Sequence, residues 1–322
     1  MASVGGGATR YPHSDDPTVT AQPPGEGVGT AGRAGEDRRV VEAGSARSAA
    51  LRRGEESELQ GWLELGLQWA QEADAEAMRY FRRDLEITAK PDRSLVTQAD
   101  TAIERRLRER ILDAFPGHGL VGEEYGTESA EASVRWYIDP IDGTHNFVRG
   151  VPLFGTLLAV ERDGIRQVGI MSAPAIRERW FARRGGGAWA HGAFDTSPRR
   201  IRVSGVSAIA DAQLLYGSGA SIERSGRAPG FHRLRHEVWR ERGFGDFWGY
   251  ALVAEGAAEG MIEIGVNPWD LAAPEVIVEE AGGTLTDLSG EARIDRLEVL
   301  ATNGIMHAGI LARLRDEGPA AP

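Results

Sequence analysis

The stretch Trp136-Tyr137-Ile138-Asp139-Pro140-Ile141-Asp142-Gly143-Thr144 decides how this chain is read. Its apolar start has the makeup of a buried strand, and that run stops at Asp139. A second carboxylate follows three residues later, and Gly143-Thr144 opens a candidate helix. Hard divalent cations take carboxylate and carbonyl oxygens, while a helix N-terminus attracts phosphate. One carboxylate at a strand end and one on the following turn can face a shared cation, with the Ile141 carbonyl between them as a third oxygen. The plain alternative for Asp139 and Asp142 is a strand-end turn, where Asp is common. Metal and phosphate in one place mean phosphoryl chemistry.

Two other segments extend this. Gly122-Glu123-Glu124 ends a short apolar run from Gly119 to Val121. Far downstream lies Asn267-Pro268-Trp269-Asp270-Leu271-Ala272-Ala273, with Gly282-Gly283 closing the helix that follows. Taken alone, Glu123-Glu124 reads as a solvated acidic pair and Asp270 as the N-cap of a helix from Leu271. In this order and spacing the three strings resemble the signature boxes of the inositol monophosphatase-like superfamily, over about Glu55 to the C-terminus. The resemblance implies a Mg2+-dependent, Li+-sensitive phosphatase. Two or three Mg2+ would be held by Glu123, Asp139, Asp142, Asp270 and the Ile141 carbonyl, and phosphate by the Gly143 and Thr144 amides. It further implies that Asp100 hydrogen-bonds Thr144, the pair acting with Glu123 on an in-line water and no residue being phosphorylated. By position alone, Asp100 is equally an exposed acid at a helix start.

Composition bounds the alternatives. With 322 residues, one large or two modest domains are expected. Residues 1–54 are rich in Gly, Ala, Ser, Pro and Arg and hold no Leu, Ile, Phe or Trp before Leu51, so they read as a disordered tail. That tail carries seven Arg and six acids; subtracting from 37 basic and 48 acidic residues leaves 30 and 42, a net charge of −12 on the remainder. A nucleic-acid groove needs a clustered basic face. The run Arg105-Arg106-Leu107-Arg108-Glu109-Arg110 reads instead as a solvated helix face. No cysteine is present, which fits a reducing cytoplasm, and no apolar stretch approaches the ~18 residues that span a membrane.

Periodicity predicts helices over 55–83 and 97–115, then strands at 119–122, 134–139, 156–162, 168–173 and 178–183. A boundary near 192–199 separates a half over 55–192, with the first two boxes, from a half over 193–322, with the pocket and Asp270. A strand at 211–216, helices at 231–241, 247–256 and 271–281, a strand at 297–301 and a helix from Ile305 follow. This order fits α+β or layered α/β. The resemblance narrows it to an α-β-α-β-α sandwich with the site between two sheet-bearing halves, and implies a homodimer.

Substrate choice must come from the second half. Gly243-Phe244-Gly245-Asp246-Phe247-Trp248-Gly249-Tyr250 resembles a segment of the histidinol-phosphatase branch, as do Arg179-Trp180-Phe181-Ala182 and Gly187-Ala188-Trp189. Asp246 would then face a substrate with a protonated amine and an imidazole. Glu263 matches a position that contacts the substrate alcohol or amine. The competing readings are an N-cap for Asp246 and core packing for Trp180-Phe181 and Phe247-Trp248. The activity so implied is hydrolysis of L-histidinol phosphate, a step of histidine biosynthesis. The alternatives are an inositol-1-phosphate or broad sugar-phosphate phosphatase and, from another class, a non-catalytic partner of the transcription machinery.

Overall fold

A computed structural model describes residues 34–91 and 94–315, with side chains from Arg53 onward. Helix α1 spans Ala34–Tyr80, hairpin strands β1 and β2 are Ile87–Ala89 and Leu95–Thr97, and α2 is Gln98–Ala114. Strands β3 Gly119–Gly122, β4 Gly126–Glu128 and β5 Val134–Asp142 lead to the short α3, Thr144–Val148. Then come β6 Gly155–Arg162, β7 Ile165–Ala173, β8 Glu178–Arg183, β9 Gly187–His191 and β10 Arg199–Arg200. The second half has β11 Gln213–Tyr216, α4 Gly219–Arg224, α5 Ala228–Glu237, β12 Arg240–Arg242 and α6 Asp246–Ala254. It ends with β13 Gly260–Ile264, α7 Pro268–Glu280, β14 Thr284–Thr286, β15 Glu298–Thr302 and α8 His307–Leu314.

An eight-stranded sheet runs β10-β9-β8-β7-β6-β5-β3-β4 and a five-stranded sheet runs β12-β11-β13-β15-β14. Because side chains alternate across a strand, each strand supplies two layers. Trp136, Ile138, Leu158, Val160, Val168 and Ile170 pack outward against Trp62, Leu63 and Trp69 of α1 and Ile103, Leu107 and Ile111 of α2. Their neighbours Tyr137, Leu157, Ala159 and Met171 face inward onto α6 and α7. The second sheet meets those helices through Leu215, Met261, Val299 and Ala301. Its other face, with Leu214, Ile262 and Leu300, is covered by Phe231 and Leu234 of α5 and Ile310 and Leu311 of α8. The order of layers is α-β-α-β-α, as the resemblance implied.

Helix α7 is the middle layer's anchor. Gly169 of β7 lets it come so close that an added Cβ would sit 2.4 Å from the Ala273 carbonyl oxygen. Arg166 clamps Glu275 of the same helix with bonds of 2.6 and 2.7 Å, fixing α7 along the strand.

The expected elements are corrected at several edges. The eight-stranded sheet reaches Arg200, past the expected boundary, because β10 pairs with β9 across the Pro-containing segment. Short strands such as β1, β2 and β4 carry too few residues to show alternation. Of the expected tail, residues 1–33 lie outside the described residues, while the backbone is helical from Ala34. Ala, Glu and Arg favour helix without an apolar stripe, so periodicity marks this helix only from Glu55. Gly169→Ala should lower stability by about 1–3 kcal/mol, since backbone rather than a movable side chain opposes the methyl. An unchanged urea midpoint would contradict this seating of α7.

Candidate active site

In a regular strand Asp139 and Asp142, three residues apart, would point to opposite faces. They do not, because β5 carries one extra residue against β6: Asp139 pairs with Leu157, but Asp142 pairs with Gly155. Pro140, with no N–H to give the ladder, lies within this bulge, and the Thr156 hydroxyl donates to its carbonyl at 2.9 Å. The bulge turns both carboxylates toward α7, which delivers Asp270 from its first turn. Oxygens of Asp139, Asp142 and Asp270 all lie within 4.8 Å of one another, a group that could hold a metal ion. The Oδ1 of Asp139 is buried without a partner. Such all-oxygen donors suit a hard divalent cation.

Asp270 also serves its helix, accepting the Asn267 N–H at 2.7 Å. The expected cap is therefore displaced: α7 begins at Pro268, whose fixed φ suits a first turn, and Asn267 precedes it. Asp142 accepts the Phe247 N–H at 2.5 Å, from the start of α6. Burial pushes all three carboxyls up, aided for Asp139 by Glu123 and Asp142 and for Asp142 by Asp246 and Asp270. Asp270 reaches about 7, raised by burial against its Asn267 bond.

Glu123 stands outside this trio, with its Oε1 2.9 Å from Lys90, and Lys90 bonds Glu124 at the same distance. Burial opposes charge on Lys90, but the two carboxylates hold it above its usual range. Lys90 is the chain's single lysine, the one signal in the sequence that singles it out. The loop itself rests on Glu104, a fully buried acid of α2 that accepts the Glu124 N–H at 2.7 Å and the Tyr125 N–H at 3.2 Å. A Cβ on Gly122 would lie 2.0 Å from Glu104 Oε1, which accounts for the glycine before the acidic pair. Glu104 was legible only as an acid within the inward stripe of Ile103, Leu107 and Ile111.

The expected Asp100–Thr144 hydrogen bond is corrected. Asp100 Oδ2 accepts the Thr97 N–H at 2.8 Å and the Thr97 hydroxyl at 2.6 Å, closing a capping box at the start of α2. Donors three residues away in sequence capture this oxygen, while Oδ1 stays buried and unpartnered. Thr144 instead donates to the Ile141 carbonyl at 3.0 Å. Asp100 is raised by burial to about 6, the Thr97 bonds opposing. Gly143 takes φ +80° at the start of α3, and an added Cβ would meet the Leu153 carbonyl at 3.0 Å and Asp246 Oδ2 at 3.4 Å.

Beside the trio opens a cavity of about 490 Å³ lined by Phe244, Asp246, Trp248, Tyr250 and Glu263 together with Asp142 and Asp270. Gly245, not Asp246, precedes α6 as its cap, and Asp246 takes φ +57°. Its Oδ2 accepts from Asn146 Nδ2 at 3.2 Å. Of the aromatic pairs, Phe247 and Trp180 are core, as the packing reading held. Trp248 turns to the cavity, its ring 4.9 Å from that of Phe244.

This layered sandwich, with carboxylates converging from two elements onto one cation site, defines a protein of the metal-dependent phosphatase type. A model of the inositol monophosphatase family matches residues 58–318. The histidinol-phosphatase of Mycobacterium tuberculosis is 44% identical over 253 residues, 78% of this chain and 97% of that protein. That of Streptomyces coelicolor is 42% identical over 254 residues, covering 76% and 93%. The inositol-1-monophosphatase of Mesorhizobium japonicum is 32% identical over 72% of this chain and 87% of its own. Among solved structures, the Thermotoga maritima inositol monophosphatase matches with a TM-score of 0.71 at 28% identity, covering 80% of this chain and 97% of that one. The chain belongs to the inositol monophosphatase family, and it is a phosphoric monoester hydrolase.

The raised Asp270 sets a pH test. Between the unfolded value of 3.8 and about 7, the folded metal-free protein holds a proton that the unfolded chain has released. This contribution is therefore full below pH 4 and lost as pH rises toward 7. Wild type should lose up to about 4 kcal/mol relative to Asp270→Asn across that window in chelator. Parallel stability–pH curves for the two proteins would contradict this.

Proposed function

We propose that the protein hydrolyses L-histidinol phosphate to L-histidinol and phosphate, with Mg2+ at the carboxylate trio. One observation carries the choice of substrate: Asp246 and Glu263 line the cavity beside the trio, and among the described residues neither has an Arg or Lys ion-pair partner. Burial raises the Asp246 carboxyl above its ordinary range, with His145 opposing. Glu263 is buried and Asp246 half-buried; carboxylates withdrawn from water call for a cation, and a protonated substrate amine would supply it. The Phe244–Trp248 pair offers an aromatic wall for an imidazole. The identities of 44% and 42% to histidinol-phosphatases support the same reading.

Bound at Asp139, Asp142, Asp270 and the Ile141 carbonyl, the metal would activate water and offset phosphoryl charge. Glu123 would join them once released from Lys90. Asp100, raised to about 6 with one oxygen free, would take the water's proton near neutral pH. Thr144 would orient that water, and the Gly143 and Thr144 amides would face the phosphate. A cytoplasmic homodimer goes with this reading; no helix among the described residues is long and apolar enough to cross a membrane.

Phosphate release with Mg2+, compared in parallel on L-histidinol phosphate, inositol 1-phosphate and 3′-phosphoadenosine 5′-phosphate, tests the proposal. Histidinol phosphate should be preferred by about tenfold to a hundredfold in kcat/KM, the size of a charge-assisted contact. Comparable rates on inositol phosphate would favour a broader polyol phosphatase, as the Mesorhizobium relative is named. Asp142→Asn should abolish turnover while leaving the far-UV CD spectrum intact; substantial remaining activity would overturn the metal assignment. Asp246→Asn should cost about tenfold to a hundredfold on histidinol phosphate and much less on inositol 1-phosphate.

A further inference from the structure

Tyr250 lies one helical turn after Asp246 on α6 and is only 1% exposed. Its hydroxyl donates to Glu263 Oε2 at 2.7 Å. The other oxygen, Oε1, accepts the Asp246 N–H at 3.2 Å. Strand parity places Glu263 on the same inner face as Met261, so α6 meets it from above. Glycine lines the remaining side: a Cβ on Gly217 would lie 2.4 Å from Oε1. Glu263 is thus gripped at both oxygens by one helix, through a backbone amide and a phenol placed one turn apart.

We propose that Tyr250 is a specificity-determining positioning residue, holding Glu263 so that it and Asp246 form one acidic wall that pairs with a protonated amine. This rests on the substrate reading above. A glutamate side chain has three torsions, and an unanchored carboxylate would swing through the cavity. A carboxylate oxygen accepts two hydrogen bonds, so anchoring one lone pair on each leaves the others at set positions. Asp246 is fixed in the same way by Asn146, which is itself held to the Leu153 carbonyl at 2.8 Å. Both acids therefore keep their spacing without a cation present. Burial, reinforced by the Glu263 carboxylate, keeps the Tyr250 phenol protonated and hence a donor. Phenylalanine would fill the same buried volume and lack only this bond.

The test compares wild type and Tyr250→Phe on L-histidinol phosphate and on 3-(imidazol-4-yl)propyl phosphate, which keeps ring and phosphate but lacks the amine. Wild type should prefer the amine, and the variant should lose about tenfold of that preference, chiefly through KM for histidinol phosphate. In Tyr250→Phe/Glu263→Gln the phenol should have no further effect on discrimination beyond Glu263→Gln alone. Equal losses on both substrates would mark Tyr250 as merely structural and overturn the proposal. A wild-type preference that survives Tyr250→Phe intact would overturn it alone. A wild type indifferent to the amine would overturn the substrate reading and this proposal with it. Partial unfolding of Tyr250→Phe would lower the rates on both substrates alike, so the ratio between them still reads the phenol's effect in the folded fraction.

Discussion

Three carboxylates, one buried and two half-buried, resist being ionised side by side unless a cation joins them, and the rest of the structure is arranged around that constraint. Asp139, Asp142 and Asp270 come from a bulged strand and a helix start, so neither element holds the site alone. Gly169 and the Arg166–Glu275 clamp set where α7 lies, and hence where Asp270 arrives. Glu104 does the same for the loop of Glu123 by taking its backbone amides. Lys90, bridging Glu123 and Glu124, partly balances the negative charge from within the chain.

The same constraint ties chemistry to recognition. Helix α6 starts by donating the Phe247 N–H to Asp142, a carboxylate of the trio. One residue earlier, Asp246 gives its N–H to Glu263, and one turn later Tyr250 gives its hydroxyl. A single helix therefore positions a cation-site carboxylate and both acids of the pocket. Gly143, which must be glycine beside Leu153 and Asp246, closes this contact from the first half. Displacing α6 would disturb the reaction centre and the substrate pocket together.

Much of this was legible in the residues, and the gaps have physical causes. Five strand positions in the first half were anticipated from their apolar runs, whereas the five layers were implied only by the family resemblance. The convergence of Asp139, Asp142 and Asp270 came from motif resemblance; the bulge that permits it cannot be seen in residue order. Asp100 was assigned a distant partner, Thr144, when a nearer one, Thr97, lay three residues away and satisfied a helix end. Lys90, Glu104 and the Tyr250–Glu263 bond act across 33, 20 and 13 residues, separations at which spacing carries no information. Asn146 and Asp246 meet across 100 residues, joining two halves that local patterns treat separately.

The most direct test of the central claim is calorimetric titration of Mg2+ into the metal-free protein near pH 6, repeated in buffers of different ionisation enthalpy. Because burial and neighbouring carboxylates raise these groups and metal ligands must be deprotonated, Mg2+ binding should release protons, about one or more per site, and Asp270→Asn should reduce that release. Mg2+ binding without proton release, or no binding at all, would contradict the account.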